Sequence, residues 1–124
     1  MLKRSGDQLG QAARAILANR QLRQTILPAE LFGEWPWGAL LTLFVADAEG
    51  RRLTGHMIAE QLACPKPVMA RWIQHLSTTG LVVGDGTGDL NDLLTLSPRA
   101  ISALETYLAA TVETAEMVLR QQTL

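Results

Sequence analysis

The chain has 124 residues, of which 48% are hydrophobic and 19% charged, with a formal net charge of −1. This composition excludes a disordered chain, and the length suits one domain better than two. The near-neutral balance argues weakly against a nucleic-acid partner, because phosphate contacts usually need a surplus of lysine and arginine. We therefore predict a single domain over residues 1–124.

Membrane insertion and secretion are not expected. The longest apolar runs, such as residues 39–46, are far too short to span a bilayer. The N-terminal stretch lacks the basic head, apolar middle and small-residue cleavage site of a signal peptide. A single cysteine, Cys64, cannot form an internal disulfide, which suits a reducing compartment. The sequence thus predicts a cytoplasmic protein with no membrane partner.

Two helices are predicted in the first half of the chain. Residues 7–24 form an amphipathic helix whose apolar side chains recur at helical spacing: Leu9, Ala13, Ile16 and Leu17. Pro28 and Gly33 mark a connector. Residues 36–48 contain few polar side chains, so this second helix is predicted to be central and buried.

Two short helices joined by a tight turn are predicted next. Thr54 can cap the first of them. Pro67 fits the first turn of a helix, and its ring disfavours helical geometry at the preceding residue, Lys66. The second helix is therefore predicted to start near Lys66. The predicted core positions of the two helices are Met57, Ile58 and Leu62, and then Val68, Met69, Trp72, Ile73 and Leu76.

The opposite face of the second helix is short and mostly cationic. A surface of this kind can enter the major groove of double-stranded DNA. Its residues are Lys66, Pro67, Ala70, Arg71, Gln74 and His75.

A β-hairpin and a long helix complete the pattern. Residues 81–83 and 93–96 are β-rich and flank a loop of glycine and aspartate. Ser97 and Pro98 then give the cap and first position of a helix over about residues 98–123. Its apolar stripe, about 35 Å long, needs a further surface to cover it. The first helix or a second copy of the chain could supply that surface.

Residues 37–100 resemble the MarR-type winged helix-turn-helix regulators. The most telling stretch has Arg71 and an aliphatic pair, followed by Leu76, three residues, and Gly80-Leu81-Val82. The resemblance implies a mainly α fold with a small β-hairpin wing, whose core spans about residues 37–97. It also implies a homodimer formed by the terminal helices, about 7–24 and 98–123, which reads a pseudo-palindromic DNA site.

The wing departs from that family pattern. Such wings usually present an arginine, whereas residues 84–92 hold three aspartates and no basic residue. Val68 also stands where many relatives have a hydroxyl residue. Either the wing is held away from DNA, or binding is weak, or the fold serves another use. The alternative function is thus a winged-helix module for protein interaction or dimerisation.

The candidate DNA contacts lie in a locally basic stretch, residues 51–76. Arg71 is expected to bond a guanine or a phosphate; the alternative is a surface arginine paired with a carboxylate. Arg51 and Arg52, just before the first helix of the motif, are candidates for phosphate contacts.

Other chemistry has little support in the sequence. Cys64 is expected to be a turn or core residue, and His56 and His75 have no neighbours at metal-ligand spacing, so no metal or cofactor is predicted. No catalytic motif is present, and an enzyme is not expected. An aromatic cluster is expected to pack in the core or to line a pocket for a possible small-molecule effector; its members are Phe32, Trp35 and Trp37.

Overall fold

The computed structural model describes residues 6–84 and 89–122, and it confirms the mainly helical class with a small β-sheet. The predicted helix and strand order is observed, with a short 3₁₀ helix and one strand added. The elements are α1 (Gly6–Ile26), the 3₁₀ helix (Ala29–Phe32), α2 (Glu34–Ala48), β1 (Leu53–Thr54), α3 (Gly55–Leu62), α4 (Lys66–Thr78), β2 (Val82–Gly84), β3 (Leu93–Leu96) and α5 (Pro98–Gln122).

The described residues fall into two compact units. One consists of α1 and the part of α5 that follows Ser102. In it, the Asn19 side chain joins the two helices, because its amide donates to Thr111 Oγ1 (3.0 Å) and its carbonyl oxygen accepts from Thr114 Oγ1 (3.2 Å). The other unit, Ala29–Ser102, contains the remaining elements. No helix in the described part of the chain is long and apolar enough to cross a bilayer.

Helix α2 is the centre of the second unit, as predicted. It contacts α3, α4 and β3, and a helix enclosed in this way has few positions where a polar side chain would meet water. Its buried residues are Pro36, Ala39, Leu40, Thr42, Leu43 and Ala46. Around it, other elements contribute fully buried side chains: Leu31, Ile58, Met69, Leu76 and Leu81.

The predicted hairpin is part of a three-stranded antiparallel sheet in which β3 lies between β1 and β2. Leu94 of β3 faces Leu53 of β1 and Gly84 of β2. The added strand β1 has two residues, too few to show a period of two in the sequence. Residues 85–88, with the predicted acidic Asp85, lie outside the described residues, as does the predicted helix end at residue 123.

Both predicted helix caps are confirmed. Thr54 Oγ1 accepts a hydrogen bond from the Met57 amide (3.3 Å) at the start of α3. Ser97 Oγ accepts from the Ala100 amide (3.2 Å) at the start of α5. Each bond satisfies one of the backbone donors that a helix leaves unpaired at its first turn.

The buried face of helix α3 includes Ile58, as predicted, but not Met57. Met57, expected inside, is 50% exposed, and His56, expected outside, is half-buried. The buried residues of α3 are Gly55, Ile58 and Ala59, and Leu62, also expected inside, is half-buried. Gly55 is small where another segment approaches closely: a Cβ atom added there would lie 2.6 Å from Leu90 Cδ2.

Replacing Gly55 with alanine should therefore destabilise the fold. The added Cβ would meet Ile73 Cδ1 at 2.9 Å and the backbone Cα of Leu90 at 3.2 Å, so the α3 start and the Leu90 turn would have to separate. We expect the free energy of unfolding, measured by urea denaturation, to fall by about 1–3 kcal/mol.

Gly10→Ala is the matched control, because no atom lies within 4 Å of a Cβ built there. In the interior of α1 this change should leave stability unchanged or raise it by up to about 1 kcal/mol. Equal effects of the two substitutions would contradict the steric argument.

Candidate nucleic-acid interface

Helix α4 has one buried and one exposed face. Met69, Ile73 and Leu76 are at most 2% exposed, and their three- and four-residue spacing places them on one side of the helix. Pro67, Arg71 and Gln74 lie about half a turn away, and the structure leaves all three exposed. Three of the residues predicted for the outer face are therefore exposed on it.

Arg71 lies near the middle of this outer face and is exposed. Within residues 6–84 and 89–122 it forms no ion pair. The alternative interpretation, an arginine already paired with a carboxylate, is therefore not observed among the described residues. Its guanidinium, a planar fork of five donors, is available to an external acceptor.

Lys66 begins α4 and forms a long ion pair with Glu60. Its Nζ lies 3.9 Å from Glu60 Oε1, and both side chains are more than half exposed. Exposed pairs of this kind contribute about 0–1 kcal/mol. Lys66 is thus able to exchange Glu60 for another anion. Ala70, on the same side of the helix, is half-buried and carries no polar group.

The two arginines before β1 differ in their surroundings. Arg51 Nε donates to Glu49 Oε1 at 2.9 Å, so its charge is balanced locally. Arg52 is exposed and has no ion pair among the described residues. Both line a small cleft of about 150 Å³, which Asp47 and Thr95 also line. Of the two, Arg52 is the better placed to hold a phosphate.

His75 points to the side of α4, away from the centre of its outer face. Its Nε2 lies 3.7 Å from Glu30 Oε1, and its ring meets Trp72 edge-on with centroids 5.9 Å apart. These side chains line an open groove between α4 and the 3₁₀ helix, together with Val68 and Arg71. Sequence periodicity placed Val68 and Trp72 in the core, but the structure leaves both half-exposed.

The wing uses its described aspartates to build its own turn. Asp89 Oδ1 accepts a hydrogen bond from the Asn91 amide (2.6 Å), and the Asp89 carbonyl accepts from the Asp92 amide (3.2 Å). Asp92 is only 8% exposed. An aspartate that bonds the amide two residues later stabilises a turn locally. These two acidic residues therefore have structural contacts that the charge count alone did not reveal.

Several solved structures of transcriptional regulators have the same fold as this chain. The Staphylococcus aureus regulator MepR bound to ethidium bromide superposes with a TM-score of 0.68 at 16% identity, covering 95% of this chain and 83% of that one. The multiple antibiotic-resistance repressor MarR of Listeria monocytogenes gives 0.57 at 15% identity, covering 94% and 70%. A probable transcriptional regulator from Pseudomonas aeruginosa gives 0.52 at 22% identity, covering 88% and 80%. No family model and no curated protein matches the chain by sequence.

The chain has the MarR-type winged-helix fold. In this fold α3 and α4 are the helix-turn-helix, and β2 and β3 are the wing. The resemblance inferred from the Arg71 to Val82 stretch is thus confirmed at the level of the fold. At identities of 14–22%, the comparison concerns backbone architecture, and the roles of individual side chains depend on the geometry described above.

The remaining candidates have ordinary structural surroundings. Phe32 and Trp37 pack edge to face, with centroids 5.2 Å apart, inside the winged unit. In the described part of the chain, no group of three or more His, Cys, Asp or Glu side chains could hold a metal ion.

Cys64 lies in the turn of the MarR-type helix-turn-helix and is buried. Burial raises the pKa of its thiol above the ordinary value. The backbone amide of Met69 opposes this shift, and the Glu34 carboxylate adds to it. A raised pKa reduces the thiolate fraction at neutral pH, and the thiolate is the reactive form.

Cys64 should consequently react slowly with a thiol reagent. At pH 7.4 we expect the folded chain to be modified roughly tenfold or more slowly than a variant that carries Cys64→Ala and an exposed cysteine at Ser77→Cys. The difference should vanish in denaturant. Rapid labelling of the folded wild-type chain would show that Cys64 is more accessible than its burial indicates.

Proposed function

We propose that this chain is a DNA-binding transcriptional regulator that acts as a homodimer on a pseudo-palindromic double-stranded site. The observation that carries the proposal is Arg71. It is exposed near the middle of the outer face of α4 and has no ion pair among the described residues. The fold adds support, because solved structures of the same architecture include MepR, described as a transcription regulator of a multidrug efflux pump.

Under this proposal the basic residues divide into two kinds of contact. Arg71 bonds a base edge, most favourably the O6 and N7 acceptors of guanine. Lys66 and Arg52 contact phosphates and fix the register of the protein on the duplex. Gln74 lies about one turn beyond Arg71 on the exposed face and can reach a neighbouring base. Arg51 contributes less, because Glu49 already balances its charge.

The homodimer is proposed from the apolar surface of the α1–α5 unit. Among the described residues, six of the ten exposed large apolar side chains belong to these two helices: Leu9, Ile16, Leu17, Val112, Met117 and Leu119. Ile16 and Leu119 also line a groove of about 400 Å³. An apolar surface of this kind on a small chain favours a protein partner, and a second copy would place two α4 helices on one duplex.

A DNA titration with two arginine variants tests the regulator proposal. Duplexes selected from a random pool by the wild-type chain should bind with an affinity that falls steeply as salt increases. Arg71→Ala should weaken binding to them by about 1–3 kcal/mol and relax the preference at one base. Arg52→Ala should weaken all sequences alike and reduce the salt slope by about one. Fluorescence anisotropy at several salt concentrations measures each effect.

Arg20→Ala, an exposed arginine of α1, is the control and should leave the affinity unchanged within error. Unchanged binding by Arg71→Ala would remove this residue from the interface. If no duplex is enriched at low salt, the alternative function of a winged-helix interaction module is favoured.

Light scattering tests the dimer separately. We expect twice the 13.5 kDa chain mass at micromolar concentration. Ile16→Glu and Leu119→Glu should each shift the mass toward the monomer, because a buried unpaired carboxylate would cost several kcal/mol at an apolar interface. Val45→Glu, at a residue 50% exposed on α2, should leave the dimer intact. A monomeric wild-type chain would contradict the homodimer.

A further inference from the structure

Val68 is an apolar side chain that the fold does not place in the core. The core positions of α4 are Met69, Ile73 and Leu76. Val68 lies on the flank between this core face and the outer face, half-exposed, where it lines the groove shared with Arg71 and Trp72. Core packing therefore leaves part of this side chain open to an external contact.

The position of Val68 along the helix is as informative as its exposure. It is the third residue of α4, which begins at Lys66. In helix-turn-helix proteins, residues near the N-terminus of the second helix contact base edges in the major groove. Arg71 follows Val68 by three residues, so their side chains are neighbours along the helix surface. A base pair beside the one bonded by Arg71 would thus face Val68.

The charges of the groove leave the Val68 end open to DNA. The acidic member of the groove, Glu30, lies at the other end, where its Oε1 is 3.7 Å from His75 Nε2. Val68 and His75 are seven residues apart, which is about 10 Å along the helix axis. The basic member, Arg71, lies between them in sequence and has no ion pair among the described residues. Phosphate repulsion by Glu30 is accordingly smallest near Val68.

The chemistry of valine restricts what it can recognise in the major groove. Val68 has no donor or acceptor in its side chain, and the apolar group that base edges present there is the C5-methyl of thymine. On the basis of the proposed function, we infer that Val68 packs against a thymine methyl beside the base bonded by Arg71. The site then requires a T·A pair at that step, a preference that the valine sets and the arginine does not.

A uracil scan tests this inference directly. Each thymine of a duplex selected by the wild-type chain is replaced, one at a time, with deoxyuridine, which lacks only the methyl group. At one thymine per half-site the wild-type chain should lose about fourfold in affinity, the value of one buried methyl group. Val68→Ala should bind the unmodified duplex more weakly and lose this sensitivity to uracil. Val45→Ala, the matched valine on α2, should retain it.

The results separate failure of this inference from failure of the proposed function. If the wild-type chain enriches no duplex, DNA binding itself is wrong, and the inference fails with it. If a duplex is bound but no thymine responds to uracil, or Val68→Ala keeps the full response, only the methyl contact is wrong. A selected site that contains no thymine would likewise contradict only the methyl contact. The scan on the wild-type chain requires no variant, so a folding defect in Val68→Ala would not change its result.

Discussion

Burial of three apolar side chains under α4 determines which side of that helix meets the solvent. Met69, Ile73 and Leu76 are at most 2% exposed, and α4 contacts both α2 and α3. Rotating the helix to expose them would cost about 1.5–3 kcal/mol for each side chain. Arg71, about half a turn away, is held at the surface by this packing. Its presentation is therefore a consequence of the core and requires no contact of its own.

The same core fixes the wing to the helix-turn-helix. The His56 amide donates to the Leu90 carbonyl (3.1 Å), and the absence of a side chain at Gly55 allows Leu90 to approach α3. Asp89 stabilises the turn that contains Leu90 by accepting hydrogen bonds from the Asn91 and Asp92 amides. In this arrangement the described acidic residues of the wing serve its own geometry. The described part of the wing has no basic side chain, so the proposed contacts with DNA are made mainly by α4.

Local signals in the sequence predicted most of the fold. Thr54 and Ser97 cap helices through bonds to amides three residues later, so their role could be inferred from neighbouring residues. The outer face of α4 was also predictable, because Arg71 lies opposite three apolar residues at helical spacing. The errors occurred where a distant segment decides the outcome. Met57 is outside because Gly55 meets Leu90, 35 residues later, and His75 turns aside toward Glu30, 45 residues earlier.

By itself, the sequence determined the order of the elements, the helix caps and the cationic face of α4, because hydrogen bonds and periodicity within a few residues specify them. Only the tertiary structure decided which of these charges remain unpaired and that Val68 lies in an open groove. Each of these depends on segments that meet only after folding. Whether a charged side chain is paired, or an apolar side chain is buried, is determined by these contacts between distant segments.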